Sequence, residues 1–238
     1  MDNATYATLG RQTGLASQMR MVANNIANTN TTGYRGEGVV FSEVVRSTGS
    51  GASLSMATAR ARVTDLSQGA LAQTGGAFDL AIEGDGFFMV QTPDGQRLTR
   101  AGSFGPNAAG DLVTAEGYPV LDAGGAPLIV PVGLGPVGIA PDGTVSAGGQ
   151  PVGQVGLFVP RDPLELTREG GTRFEAPSGA DPAPAARVVQ GFLEESNVDP
   201  ITEVARMIEV SRAYEMGQSF LEREDERIRG AIRALTVR

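Results

Sequence analysis

The sequence predicts an α+β protein in which N- and C-terminal helices flank a central all-β domain. Two observations predict it. Apolar residues near each end recur at helical, heptad-like spacing, and the stretch between the ends divides into short β-type runs separated by glycine and proline. We therefore assign an N-terminal helix to residues 1–35, an extended connecting segment to 36–77, a β domain to 78–190 and a C-terminal helix to 191–238.

The first helical pattern covers residues 3–28. Its apolar heptad positions are Leu9, Ala16, Met19, Ala23 and Ile26. Gln12 interrupts the series. Because several members are alanine, the stripe would allow a second helix to approach closely.

An asparagine-rich stretch, "ANNIANTNTTGYR" at residues 23–35, follows this stripe. Asparagine is a poor helix former because its amide competes for backbone hydrogen bonds. We expect the helix to end here, with Asn30 and Gly33 forming the turn and Gly33 in the left-handed conformation after the helix. A plain helix cap would need fewer amides. We therefore expect Asn24, Asn25 or Asn28 to bond to exposed carbonyls or to a neighbouring subunit.

The middle of the chain reads as β structure. Between residues 36 and 77 the signal is weak: "VVFSEVVRS" fits a short strand or a helix, and "ARARVTDL" fits a strand. From residue 78 onward, "FDLAIEGDGFFMVQT" alternates and ends in the turn signal "PDG", and further short runs follow. Regular short strands of this kind indicate an antiparallel sandwich or an open barrel.

The C-terminal segment begins with a capping sequence, "SNVDP". Asp199 is a candidate N-cap, and Pro200 suits the first helical position. The apolar positions that follow at heptad spacing are Met207, Val210, Tyr214, Leu221 and Ile228.

Each terminal stripe must bury its apolar side somewhere. One possibility is that both helices pack on the β domain of their own chain. The other is that they pair with each other and with copies from neighbouring subunits, as a coiled-coil-like layer. The 3.5-residue spacing favours the second arrangement, in which helix packs on helix.

Composition excludes several kinds of chemistry. The chain has no cysteine and no histidine, which excludes thiolate nucleophiles, histidine-based triads and the common zinc sites. A net charge of −8 argues against nucleic-acid binding. No apolar run approaches the ~20 residues of a membrane span, so we expect no membrane insertion. The first residues do not resemble a cleaved signal peptide.

Two motifs were weighed as sites and set aside. "GLGPVG" at residues 133–138 matches a dinucleotide-binding pattern, but a turn and a strand follow it where a helix is required. Asp79, Glu83 and Asp85 alternate along one predicted strand, so they could share one face of it. Two carboxylates on one face could form the acid–base pair of a periplasmic enzyme or part of a wall-binding module. Solvated strand and turn residues explain them better. We expect no catalytic residues, no cofactor and no metal site.

Four stretches, in order along the chain, resemble the axial proteins of the bacterial flagellum. They are "ANNIANTNTTGYR", "TGGAFDLAIEGDGFFMVQTPDG" with "LTRAGSF", "GDLVTAEGYPVL", and "GFLEESNVDPITEVARMIEVSRAYEMGQSFLEREDERI". The chain is thus similar to the flagellar basal-body rod protein family. The opening "MDNATYATLGRQTGL" and the short length resemble the proximal rod proteins, with the distal rod proteins as the alternative.

The resemblance implies a structural, self-assembling subunit of the torque-transmitting rod, in which the terminal helices form the inner layer. It implies export through the flagellar type III apparatus to a periplasmic position in the basal body. The implied partners are copies of the chain, FlgG-like distal rod subunits and FlgB/FlgC-like proximal rod subunits. The predicted assembly residues are Leu9, Ala16, Met19, Ala23, Asn24, Asn25, Ile26, Asn28, Met207, Val210, Tyr214, Leu221 and Ile228.

Overall fold

The structure, a computed structural model, describes residues 2–46, 54–131, 133 and 135–236. Within these ranges the long helices are α1 (Asp2–Ala27) and α2 (Pro200–Thr236), and a 3₁₀ helix spans Pro163–Glu165. The strands are β1 (Glu37–Arg46), β2 (Leu54–Thr64), β3 (Leu71–Gln73), β4 (Leu80–Glu83), β5 (Phe87–Thr92), β6 (Gly95–Thr99), β7 (Phe104–Pro106), β8 (Leu112–Thr114), β9 (Val137–Ile139), β10 (Thr144–Ala147), β11 (Gln150–Gln154), β12 (Leu157–Pro160), β13 (Thr167–Arg168), β14 (Arg173–Glu175), β15 (Ala180–Pro182), β16 (Arg187–Gln190) and β17 (Phe192–Glu194). The protein is therefore α+β, as predicted.

The chain forms two compact units. The first unit contains α1, α2 and a two-stranded sheet of β1 and β2. The predicted helix at residues 3–28 is confirmed by α1, which ends at Ala27. In α2 the first residue is Pro200, as the Asp199–Pro200 cap predicted. The assigned bounds of 191–238 were too wide for the helix, because residues 191–199 contain β17 and the segment that leads to α2.

The cap of α2 follows from the chemistry of Asp199. Its Oδ1 accepts the backbone N–H of Ile201 at 2.9 Å, and its Oδ2 accepts the Thr202 hydroxyl at 2.8 Å. The Thr202 hydroxyl, followed by the Ile201 N–H, holds the pKa of the Asp199 carboxyl below its usual value. A charged carboxylate at this position also complements the positive end of the helix dipole.

The second unit contains residues 28–36 and strands β3 to β17. Its largest sheet has six strands in the order β13-β14-β6-β5-β12-β15 and does not close on itself. Smaller sheets are β11-β10-β9, β16-β4, β17-β3 and β7-β8. The assigned ladders are antiparallel, which confirms the predicted antiparallel, open arrangement. A core of side chains such as Leu80, Phe88, Val120 and Val145 lies within this unit.

The connecting segment at residues 36–77 contains more regular structure than we expected. It includes β1, β2 and β3, whereas the sequence signal was weak and suited a strand at "ARARVTDL" within an extended linker. The ambiguous "VVFSEVVRS" forms most of β1, apart from its final serine, which lies outside the described residues. Strand pairing explains the difference, because β1 and β2 stabilise each other and β3 is stabilised by β17, which is distant in sequence.

Candidate functional site

The two terminal helices pack against each other within the first unit and run antiparallel. Near the start of α1, Gln12 bonds to the carbonyl of Tyr214, and near its end Asn25 bonds to Glu203. Residues later in α1 therefore meet residues earlier in α2. Val22 and Val210 are buried in this unit. Each helix thus buries part of the apolar stripe of the other within one chain.

Gln12, which interrupts the first heptad series, is buried and has a specific place on α2. Its Nε2 donates to the Tyr214 carbonyl at 2.9 Å. Gly217 provides the space, because a Cβ atom at that position would collide with the Gln12 amide. The Gln12 Oε1 is buried without a hydrogen-bond partner among the described residues. The break in the heptad pattern is therefore a polar contact fitted to a glycine.

Asn25 has its partners inside its own chain. Its Nδ2 donates to the Glu37 carbonyl at 2.9 Å and to Glu203 Oε2 at 3.2 Å, while its Oδ1 accepts the Glu37 N–H at 3.0 Å. The side chain is 2 % exposed. Asn25 thus joins α1, the start of β1 and the first turns of α2. The expectation that the Asn25 amide bonds to a carbonyl or to a neighbouring helix is confirmed inside the chain.

The residues after α1 also differ from the expected turn. Asn28 accepts the Thr31 hydroxyl through Oδ1 at 3.1 Å, and its carbonyl accepts the Thr31 N–H at 3.1 Å. Asn30 is exposed in this turn and does not adopt a positive φ. The turn therefore closes through local hydrogen bonds, without an unusual backbone conformation at Asn30.

Gly33 has the predicted left-handed conformation, with a φ of 67°. We had expected Gly33 to be the residue that follows the last turn of α1. It lies well beyond Ala27, so that expectation is wrong. Its N–H donates to the Glu194 carbonyl at 2.7 Å, and a Cβ atom here would collide with the backbone of Arg100 and Ala101. Only glycine fits, because both the φ value and the available space exclude a side chain.

The predicted assembly residues fall into three groups by exposure. Asn25 and Val210 are buried within the chain. The half-buried members are Ala16, Met19, Ile26, Asn28, Met207, Tyr214 and Leu221. The exposed members are Leu9, Ala23, Asn24 and Ile228. The buried residues hold the two helices together, and the exposed ones face away from this pairing.

Sequence reasoning missed a second set of apolar residues on α2. These exposed side chains are Ile201, Val204, Ile208, Met216, Phe220 and Ile232. Ile201, Val204 and Ile208 follow each other at three- and four-residue steps, as do Met216 and Phe220, and all six fall outside the heptad series that we followed. A search for apolar pairs at these steps would have found five of them.

A buried ionic cluster lies in the second unit, where the "GYR" stretch meets the segment that leads to α2. Glu194 accepts Arg35 Nη1 at 2.8 Å and Arg100 Nη1 at 3.0 Å, and all three side chains are buried. Burial lowers the pKa of the Arg35 guanidinium to about 10 and also lowers the pKa of Arg100, although Glu194 opposes both shifts. Removing Glu194 would leave two buried cations without their shared anion.

Asn197, in the "SNVD" stretch, ties three segments of this unit together. Its Oδ1 accepts the Gly36 N–H at 2.7 Å, and its Nδ2 donates to the carbonyls of Asp65 and Ser67 at 3.0 and 2.9 Å. Next to this site, the Arg168 guanidinium lies over the Tyr34 ring at 4.4 Å. The "GYR" stretch at residues 33–35 and the "SNVD" stretch at residues 196–199 therefore lie close together in the structure, although they are far apart in the sequence.

The carboxylates weighed as an enzyme site do not converge. Asp79 accepts the Thr74 hydroxyl at 2.6 Å, while Glu83 and Asp85 are exposed. Among the described residues, neither helix combines the length and the apolar character needed to span a bilayer.

Comparison with known families gives three matches along the chain. Residues 6–35 match the family described as flagella basal body rod protein, and residues 81–147 match the flagellar hook protein FlgE/F/G D1 domain. Residues 189–234 match the C-terminal family of the flagellar basal body rod FlgEFG proteins. The matched ends contain most of α1 and most of α2, and the central match extends from β4 to β10.

Whole proteins in the same family are similar over nearly the full chain. The flagellar basal-body rod protein FlgF of Caulobacter vibrioides is 42 % identical, over 99 % of this chain and 98 % of the relative. FlgF of Mesorhizobium japonicum is 39 % identical over 90 % of each chain. The rod protein FlgG of Bacillus subtilis is 33 % identical, over 95 % of this chain and 96 % of the relative. The chain therefore belongs to the flagellar basal-body rod protein family, where it is FlgF-like, and it is a structural subunit of the basal-body rod and not an enzyme.

Proposed function

We propose that the chain assembles into the rod through α1 and α2, which form a coiled-coil-like inner layer with the helices of neighbouring subunits. In this arrangement α1 and α2 belong to the axial layer and the second unit forms the outer β domain. The axial layer is then narrower than the expected bounds of 1–35 and 191–238, because residues 28–35 and 191–198 belong to the second unit. The observation that carries the proposal is the row of exposed apolar side chains on the paired helices. Leu9 is 55 % exposed and Ile228 is 46 % exposed.

The energetics favour burial of these side chains in an assembly. Burying one large aliphatic side chain stabilises an interface by about 1.5–3 kcal/mol. One such contact is smaller than the free-energy cost of bringing two subunits together, so several must be buried at once. A rod subunit meets several neighbours, so many small contacts can add up to a stiff shaft. Such a layer would carry torque along the rod by packing alone.

The wider assignment follows from the family. We infer a proximal rod position in the periplasm, contact with copies of the chain and with FlgG-like, FlgB-like and FlgC-like rod subunits, and export through the flagellar type III apparatus without a cleaved signal peptide. The two FlgF relatives, at 42 % and 39 % identity, support the proximal position over the distal one, for which the FlgG relative has 33 % identity.

The test is incorporation of a double variant, Leu9→Gln with Ile228→Gln, into basal bodies isolated from cells that express it as their only copy. Glutamine keeps the helix propensity and removes the apolar contact. The matched control is Leu164→Gln, at a residue that is 83 % exposed on the 3₁₀ helix of the β unit. We expect the control to incorporate normally and the double variant to fall by tenfold or more. Equal incorporation of the two would refute the proposal.

A further inference from the structure

A groove runs between the two helices of the first unit. It has a volume of about 330 Å³. Its lining residues are Thr8, Arg11, Gln12 and Leu15 of α1 and Ala213, Met216, Gly217 and Phe220 of α2. Met216 and Phe220 are exposed. The buried Gln12 Oε1 has no hydrogen-bond partner among the described residues. The groove therefore offers apolar edges together with one unmet acceptor.

An apolar ridge lies further along α2. Ile228, Ile232 and Leu235 follow i, i+4, i+7 spacing, which places them on one side of the helix. They are 46 %, 54 % and 79 % exposed. The ridge cannot fill the groove of its own chain, because a helix rises ~1.5 Å per residue and Ile228 lies roughly 18 Å beyond Met216 on the same helix.

The charge of α2 changes along its length. Residues 201–226 carry seven acidic residues and three arginines, whereas residues 227–236 carry three arginines and no acidic residue. The C-terminal end of one α2 therefore complements the acidic body of another. These arginines also stabilise α2 itself, because they lie at the negative end of its helix dipole. Their presence alone therefore does not identify a partner; the apolar ridge and the charge gradient together do so.

We propose that the ridge of Ile228, Ile232 and Leu235 in one copy of the chain docks into the groove beside Met216 and Phe220 of a second copy. The contact is head-to-tail: one surface meets a different surface, so in a pair the first copy keeps a free groove and the second keeps a free ridge. Contacts of this heterologous kind propagate into helical arrays. The proposal rests on the proposed assembly function and specifies which surfaces meet.

The chain has no native cysteine, so disulfide trapping reports introduced pairs only. Purified full-length Met216→Cys and Ile232→Cys proteins are mixed under mild oxidation, and cross-linked dimers are quantified. Glu226→Cys replaces Ile232→Cys in the matched control, because residue 226 is on the opposite side of α2 from the ridge. Assembly of the unmodified chain is followed in parallel by sedimentation.

We expect the Met216→Cys and Ile232→Cys mixture to cross-link at least fivefold more than the control, and to do so less at high salt, which screens the charge complementarity. Cross-linking of Ile232→Cys with itself would indicate a symmetric contact between ridges and overturn the proposal. A sedimenting assembly without the Met216–Ile232 cross-link would also overturn it, while leaving the proposed assembly function intact. A chain that neither sediments nor cross-links would overturn both.

Discussion

One glycine sets how closely Gln12 approaches α2. Replacing an exposed helical glycine by alanine stabilises a helix by up to about 1 kcal/mol, and Gly230, with open space around it, provides that reference. At Gly217 the new methyl group meets the buried Gln12 amide, which must give up its bond to the Tyr214 carbonyl. We expect Gly230→Ala to raise the melting temperature and Gly217→Ala to lower it, as measured by circular dichroism.

The cause can be isolated with a second substitution. In a Gln12→Ala background the collision disappears, so Gly217→Ala should recover the stabilisation seen at Gly230. A coupling energy near zero between positions 12 and 217 would show that the glycine serves another purpose.

Asn25 provides a second prediction on a single side chain. Its amide pairs with both backbone groups of Glu37 and with the Glu203 carboxylate, so Asn25→Ala should lower the free energy of unfolding by about 1–3 kcal/mol. The neighbouring residue Asn24 is exposed and serves as the control. Asn24→Ala should change the free energy of unfolding by less than about 0.5 kcal/mol. Chemical denaturation measures both variants, and equal effects would contradict the role assigned to Asn25.

These side chains also mark the limit of prediction from sequence. The asparagine-rich stretch indicated that something specific happens at the end of α1, but the partners of Asn25 lie on β1 and α2, far away in the chain. The break at Gln12 was visible as well, yet its reason is the shape of α2 at Gly217. Patterns along one helix show which residues are unusual, whereas tertiary packing decides what they contact.

The start of α2 gives a prediction with a definite pH dependence. In the folded state the pKa of Asp199 is below its ordinary value of 3.8. The charged carboxylate therefore stabilises the folded state fully above pH 3.8, and this stabilisation is lost as the pH falls through the lower pKa of the folded state. Asp199→Asn keeps a good cap but removes the charge. The wild type should therefore be more stable than the variant near pH ~6, and the difference should shrink as the pH falls below the ordinary value of 3.8. Thermal melts across this range provide the test, since the other acidic residues are common to both proteins. A constant difference would contradict the assignment.

The helices and the strands differ in how far they could be predicted. Both helices and the Asp199–Pro200 start were predicted correctly, because helical periodicity and capping are local signals. The segment from 36 to 77 was read as mainly extended, yet it contains β1 and β2, which pair with each other, and β3, which pairs with the distant β17. The second apolar stripe of α2 was missed because one heptad series already accounted for the pattern.

The whole chain divides its apolar surface unequally between its two units. The β unit encloses its own core and buries the ionic cluster of Arg35, Arg100 and Glu194. In the helical unit, by contrast, large apolar side chains remain exposed along α2 as far as Leu235. We therefore expect the helical unit to be the part of a rod subunit that gains stability from neighbours.

Hydrogen–deuterium exchange tests this account most directly, by comparing the free subunit with the same chain in isolated basal bodies. Our account predicts that backbone amides of α2 between residues 222 and 236 exchange rapidly in the free subunit and become protected in the rod, while the core strands of the β unit change little. If exchange in α2 were the same in both states, and new protection appeared in the β unit instead, the terminal helices would not be the assembly surface.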